Sequence, residues 1–129
     1  MSEFPAGLDR DGLEYIMELD DDVRSFERIE GATAMWRVVV ERDGQGPVEM
    51  FVDNGLNEIF VQAFVRIDSA HLATALETVQ TIGIVGLVTI NGDVFIRSGF
   101  LIGESTIHAF TNCYGAVAIA YHLYHQAIH

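Results

Sequence analysis

The stretch Leu87-Val88-Thr89-Ile90-Asn91-Gly92-Asp93-Val94-Phe95-Ile96 decides the fold. Two apolar runs, Leu87 to Ile90 and Val94 to Leu101, flank Asn91-Gly92, a pair that accepts positive φ and so marks a two-residue hairpin turn. Beyond the hairpin, Ser105 or Thr106 offers a cap, and Ile107, Phe110, Tyr114, Val117, Tyr121, Tyr124 and Ile128 recur at intervals of three and four. That spacing predicts one long amphipathic helix. Gly115 inside it costs about 1 kcal/mol relative to alanine. Its missing side chain permits close approach to the sheet or to a second helix.

Upstream, the same two periodicities alternate. Leu13, Ile16 and Met17 predict a short helix over about 10–20, with Asp9 and Asp11 as caps. The carboxylates of Asp20-Asp21-Asp22 oppose the negative end of a helix dipole and so belong to the following loop. Ala34, Trp36, Val38 and Val40 then define one face of a strand, and Asp43 to Pro47 a turn before a second strand, Val48 to Asp53. After the turn Asn54-Gly55-Leu56-Asn57, Ile59, Val61, Ala63, Val65 and Ile67 line the core face of a third strand, which turns Phe60 and Phe64 the other way. Asp68 and Ser69 cap a helix over 70–82 with Leu72, Leu76 and Val79 on its apolar face and Gly83 as its stop. The order is α-βββ-α-ββ-α: an α+β fold with one antiparallel five-stranded sheet and helices packed mainly on one face. At 129 residues this is a single domain, 1–129, with residues 1–8 expected to be flexible.

Nineteen acidic against seven basic residues give a formal charge of -12. That sign disfavours nucleic acid and anionic membrane surfaces, and favours a basic protein segment with an affinity that falls as salt rises. Cys113 is the sole cysteine, so no intrachain disulfide forms and a cysteine zinc site lacks its partners. A reducing, cytoplasmic location is expected. The Met1-Ser2-Glu3-Phe4-Pro5 start lacks a signal-peptide pattern, and no apolar run approaches the ~20 residues that span a bilayer.

The residue types that carry chemistry are present without the spacing that chemistry needs. His122, His125 and His129 share a helical face but lie at a fraying end with no carboxylate nearby in sequence, so no metal site is expected. His108 lies about 140° around the helix from Cys113, and that cysteine reads as a core residue. The acidic groups Asp20 to Asp22, Glu27 and Glu30 read as solvated, and the glycines at 83, 86, 92, 99 and 103 make no phosphate loop. Trp36 reads as core. Arg37, Arg66 and Arg97 each lie on the less apolar face of a strand, where neighbouring strands would gather them into a basic strip or pair them with local acids. No catalytic, cofactor or metal residue is assigned.

The Trp36-Arg37-Val38-Val39-Val40 strand after a short helix, the meander and middle helix, and Gly86 to Val94 running into a long final helix together resemble a known family. This is the type III secretion chaperone-like fold, in particular its YbjN-like branch of small bacterial proteins, and the resemblance covers roughly residues 8–128. It implies an acidic, cytoplasmic bacterial protein that dimerises and, in the secretion branch, wraps an extended client segment; YbjN-like members are regulatory. The family has no catalytic set to carry over. The expectation is therefore a non-enzymatic, chaperone-like or adaptor module that binds a protein segment as a homodimer. Phe60, Phe64, Tyr121 and Tyr124 are its interface aromatics. The alternative is a small-molecule binder or enzyme with a pocket between sheet and helices, lined by Trp36, Arg37 or the histidines.

Overall fold

A computed structural model describes residues 10–30, 34–42, 44–54, 58–101 and 107–128. Helix α1 (Arg10–Leu19) buries Leu13, Ile16 and Met17, the face set by their three-and-four spacing. Strands β2 (Ala34–Glu41), β3 (Pro47–Asn54) and β4 (Glu58–Val65) follow as an antiparallel meander. Their alternate residues Trp36, Val38, Val40, Val48, Met50, Val52, Ile59, Val61, Ala63 and Val65 form one fully buried face. The hairpin of β5 (Gly86–Ile90) and β6 (Asp93–Leu101) closes through Asn91 (φ 53) and Gly92 (φ 88), the conformation a two-residue turn demands.

The five-stranded expectation is corrected by one further strand. Val23–Ile29 forms β1, paired antiparallel with β2, and the sheet has six strands in the order β1-β2-β3-β4-β6-β5. Its sequence, VRSFERI, hides this because the register shifts between Val23 and Ser25. The bulge puts Val23 opposite Val40 and Phe26 opposite Val38, so both reach the core face although three residues apart. Period-two alternation is lost, and three of the remaining residues of this edge strand, Arg24, Glu27 and Arg28, are charged.

Helix α3 (Ile107–Ala127) lies over β4 and β6, burying Phe110, Tyr114, Val117 and Tyr124. The residues at 105 and 106 that were expected to cap it lie outside the described residues, as does the side chain of Ile107. The expected helix over 70–82 is a 3-10 turn, Ser69–His71, leading into α2 (Leu72–Gln80), which sits beside α3 over β5. Asp68 occupies the cap position of that turn without a side-chain capping bond. The apolar face of α2 also differs from the expectation: Ala75 and Val79 are buried, while Leu72 and Leu76 are about half exposed (49% and 51%). Ala75 and Val79, one helical turn apart, set the buried line of α2 and leave the leucines at its margin. Among the described residues no helix is long and apolar enough to cross a membrane.

Candidate functional site

The helical residues of the core pack on one face of the sheet. The other face is assembled from the alternate positions of all six strands, in registered rows. One row runs Glu27, Arg37, Phe51, Gln62, Arg97, Gly86 from edge to edge. Beside it lie Ile29, Met35, Asp53, Phe60, Gly99, and a shorter row Phe64, Phe95, Val88. Directly opposed side chains in an antiparallel pair share a face, so Phe51, Phe60, Phe64 and Phe95 lie on the same face of β3, β4 and β6.

A polar pair organises the centre of this aromatic patch. Arg97 Nε donates to Gln62 Oε1 at 2.8 Å, and its guanidinium carbon stands 4.2 Å from the Phe60 ring centroid. The amide of Gln62 is buried at 5% exposure, satisfied by an arginine that is itself held on an aromatic face. Phe64 meets Phe95 edge to face at 5.7 Å and remains 44% exposed. Toward β1, Arg37 donates to Glu49 at 2.5 Å and to Glu27 at 2.9 Å, two carboxylates that hold its guanidinium still more firmly protonated. The face is therefore aromatic in the middle, with the carboxylates of Glu27 on β1 and Glu49 on β3 flanking Arg37 at its margin. Phe51 and Gln62 separate Arg37 from Arg97, and Arg66 lies beyond the end of β4, so the three arginines form no continuous strip.

Of the four aromatics singled out from sequence, Phe60 and Phe64 lie on this open face. Tyr121 and Tyr124 lie on α3, across the sheet. Tyr124 is 1% exposed, its hydroxyl reaches the Arg66 carbonyl at 3.4 Å, and burial pushes its phenol pKa up. Tyr121 is half-buried and stacks on His125 at 4.2 Å between ring centroids. Phe51, Phe95, Gln62 and Arg97 complete the patch. The signal that finds them is their position, alternate to the core residues of their own strands.

The remaining candidates have structural partners. Trp36, fully buried, donates from Nε1 to Glu14 Oε2 at 2.6 Å, and Glu14 also holds Arg28 through two bonds of 2.9 and 2.7 Å. The acidic run is not simply solvated. The Tyr114 hydroxyl donates to Asp20, the Asp22 amide donates to Asp20 at 2.8 Å, and Arg42 pairs with Asp22 at 3.5 Å. Burial and then the Asp20 contact hold the Tyr114 phenol far above its ordinary pKa. Cys113 is buried, which raises its thiol pKa. His125 Nδ1 lies 2.9 Å from the Tyr121 carbonyl, and no metal-holding group occurs among the described residues; the side chains of His108 and His129 lie outside them. Crevices of about 120 and 360 Å³ along α3 are open to solvent; Arg42 and Ile119 line both, His122 the smaller, and Trp36 and Arg37 neither.

No family model matches the chain, and no curated protein matches it.

Proposed function

We propose that this protein is a non-enzymatic binding module of adaptor or chaperone type, working as a homodimer in a reducing cytoplasmic setting. Its open sheet face takes a segment of a client protein. One observation carries the reading: Phe51, Phe60, Phe64 and Phe95 share a face that, among the described residues, the packed helices leave open. Aromatic side chains supply large contact area at low entropic cost, and half-buried rings are already ordered before binding. The Glu27 and Glu49 margin and the charge of -12 favour a client with apolar anchors flanked by lysine or arginine.

The test is fluorescence anisotropy with two labelled peptides, both carrying aromatic and aliphatic anchors, one flanked by lysines and the other by glutamates. The lysine-flanked peptide is expected to bind, more weakly as salt rises. Phe64→Glu should lower that affinity at least tenfold, the scale of a lost interface anchor. Unfolding of the variant should stay close to wild type because the ring is half exposed. Binding that ignores the charge of the flanks and the Phe64 variant, or no binding by either peptide, overturns the proposal.

A further inference from the structure

The two edges of the sheet are built differently. On β1, the edge sequence carries Arg24, Glu27 and Arg28 and a bulge, devices that discourage pairing with another strand. On β5, the sequence GLVTI has no charge, no proline and no register shift. The two-residue turn makes Ile90 and Asp93 a hydrogen-bonded pair, so by the alternation of an antiparallel ladder Val88 and Gly86 also bond inward to β6. The main-chain N–H and C=O groups of Leu87 and Thr89 then point outward.

The helix that packs on β5 and the connection to it leave apolar side chains exposed. Helix α2 packs on β5 and beside α3, and its Leu72 and Leu76 are about half exposed. Ile84, in the connection to β5, is 56% exposed. From Leu72 to Gly92 the only Asp, Glu, Lys or Arg is Glu77, in a chain of charge -12.

We infer that β5 pairs antiparallel with β5 of a second copy of this chain about a two-fold axis at Val88, joining two six-stranded sheets into one. This rests on the homodimer proposed above and assigns its interface. Three observations choose a second copy. The axis sets Leu87 opposite the partner's Thr89 in two hydrogen-bonded pairs, an arrangement that satisfies the outward groups of both strands. An added peptide strand covers the edge alone, whereas a second copy also brings its own α2 as an apolar surface for the exposed Leu72 and Leu76. The near absence of charge lets two strongly acidic molecules meet here without opposing carboxylates. The open faces then run continuously across the dimer, with Val88 beside Phe95 at its middle.

Mass in solution by light scattering tests this, with the doubly substituted Leu72→Lys, Leu76→Lys and the single Val88→Cys as variants. The wild type should have twice the 14.3 kDa chain mass. The lysine variant should be monomeric, with an unchanged far-ultraviolet circular dichroism spectrum because both leucines are exposed. Val88→Cys should oxidise to a covalent dimer, with a disulfide between the two introduced cysteines in the peptide map. A monomeric wild type, or a dimer that survives the lysine changes and gives no such disulfide, overturns the inference. Peptide binding is read separately: a monomer that still binds the lysine-flanked peptide refutes this interface and the homodimer but leaves client binding standing. A β5-linked dimer that binds neither peptide refutes the client reading alone.

Discussion

Gly99 and Phe60 face each other across the β4–β6 ladder, and the Phe60 ring occupies the space a side chain at 99 would need: a Cβ there would stand 2.7 Å from Phe60 Cδ1 and 3.0 Å from the Ile59 carbonyl oxygen. The glycine is what allows Phe60 to lie flat beneath Arg97.

Gly99→Ala is therefore expected to destabilise the fold by about 1–3 kcal/mol, the range for overpacking, measured by urea unfolding. Gly115→Ala should behave oppositely. Its added Cβ would meet only the end of the Arg42 side chain, at 2.8 Å. Arg42 can swing away from Asp22 at a cost of about 0–1 kcal/mol for a partly exposed ion pair, while the helix gains up to about 1 kcal/mol. A net change between zero and a small gain is expected. Equal losses at the two positions would contradict the contrast.

The bond from Tyr114 to Asp20 ties α3 to the end of α1. Tyr114→Phe should cost about 1–2 kcal/mol at neutral pH through the lost hydrogen bond. The pH dependence follows from the raised phenol pKa in the folded state. The tyrosine contribution is fully present below the unfolded value near 10 and is lost as pH rises above it, because the unfolded chain releases the proton first. Denaturation curves from pH 8 to 11 should show a shallower alkaline loss in the variant. Some loss should remain, since the Tyr124 pKa is also raised. Equal alkaline slopes in variant and wild type would contradict the assignment.

Glu14 joins α1 to β1 and β2 by holding Arg28 and the Trp36 indole together. Glu14→Ala should destabilise by about 1–3 kcal/mol, mainly by stranding the indole N–H. In a Trp36→Phe background the same change should cost measurably less. Thermal unfolding of the four proteins of this cycle decides it, and strict additivity would show that the indole bond is not the linkage.

Burial and a raised thiol pKa should keep Cys113 from reacting with a disulfide reagent at pH 8, while guanidinium exposes it fully. Rapid modification of the folded protein would place the thiol at the surface instead.

The legible parts of the fold are those with an unbroken period. Alternation in β2, β3 and β4, the Asn91-Gly92 turn and the stripe of α3 all follow from local geometry, because every second or every third and fourth residue had to be apolar to face one core. Strand β1 escaped that reading because a bulge places Val23 and Phe26 on one face three residues apart, and the exposure of Leu72 and Leu76 escaped it because the stripe Leu72, Ala75, Leu76, Val79 does not by itself say which of its members meets the core.

The candidate site divides along the same line. Sequence alone determined that Phe60 and Phe64 face away from the core, since strand parity is local. It also set the acidity and the lone cysteine. Only the tertiary structure decided that these rings share a face with Phe51 and Phe95, that Tyr124 belongs to the core across the sheet, and that β5 is an edge. Each depends on strand order and register, which pair residues far apart in the chain, and no local periodicity encodes which strand lies next to which.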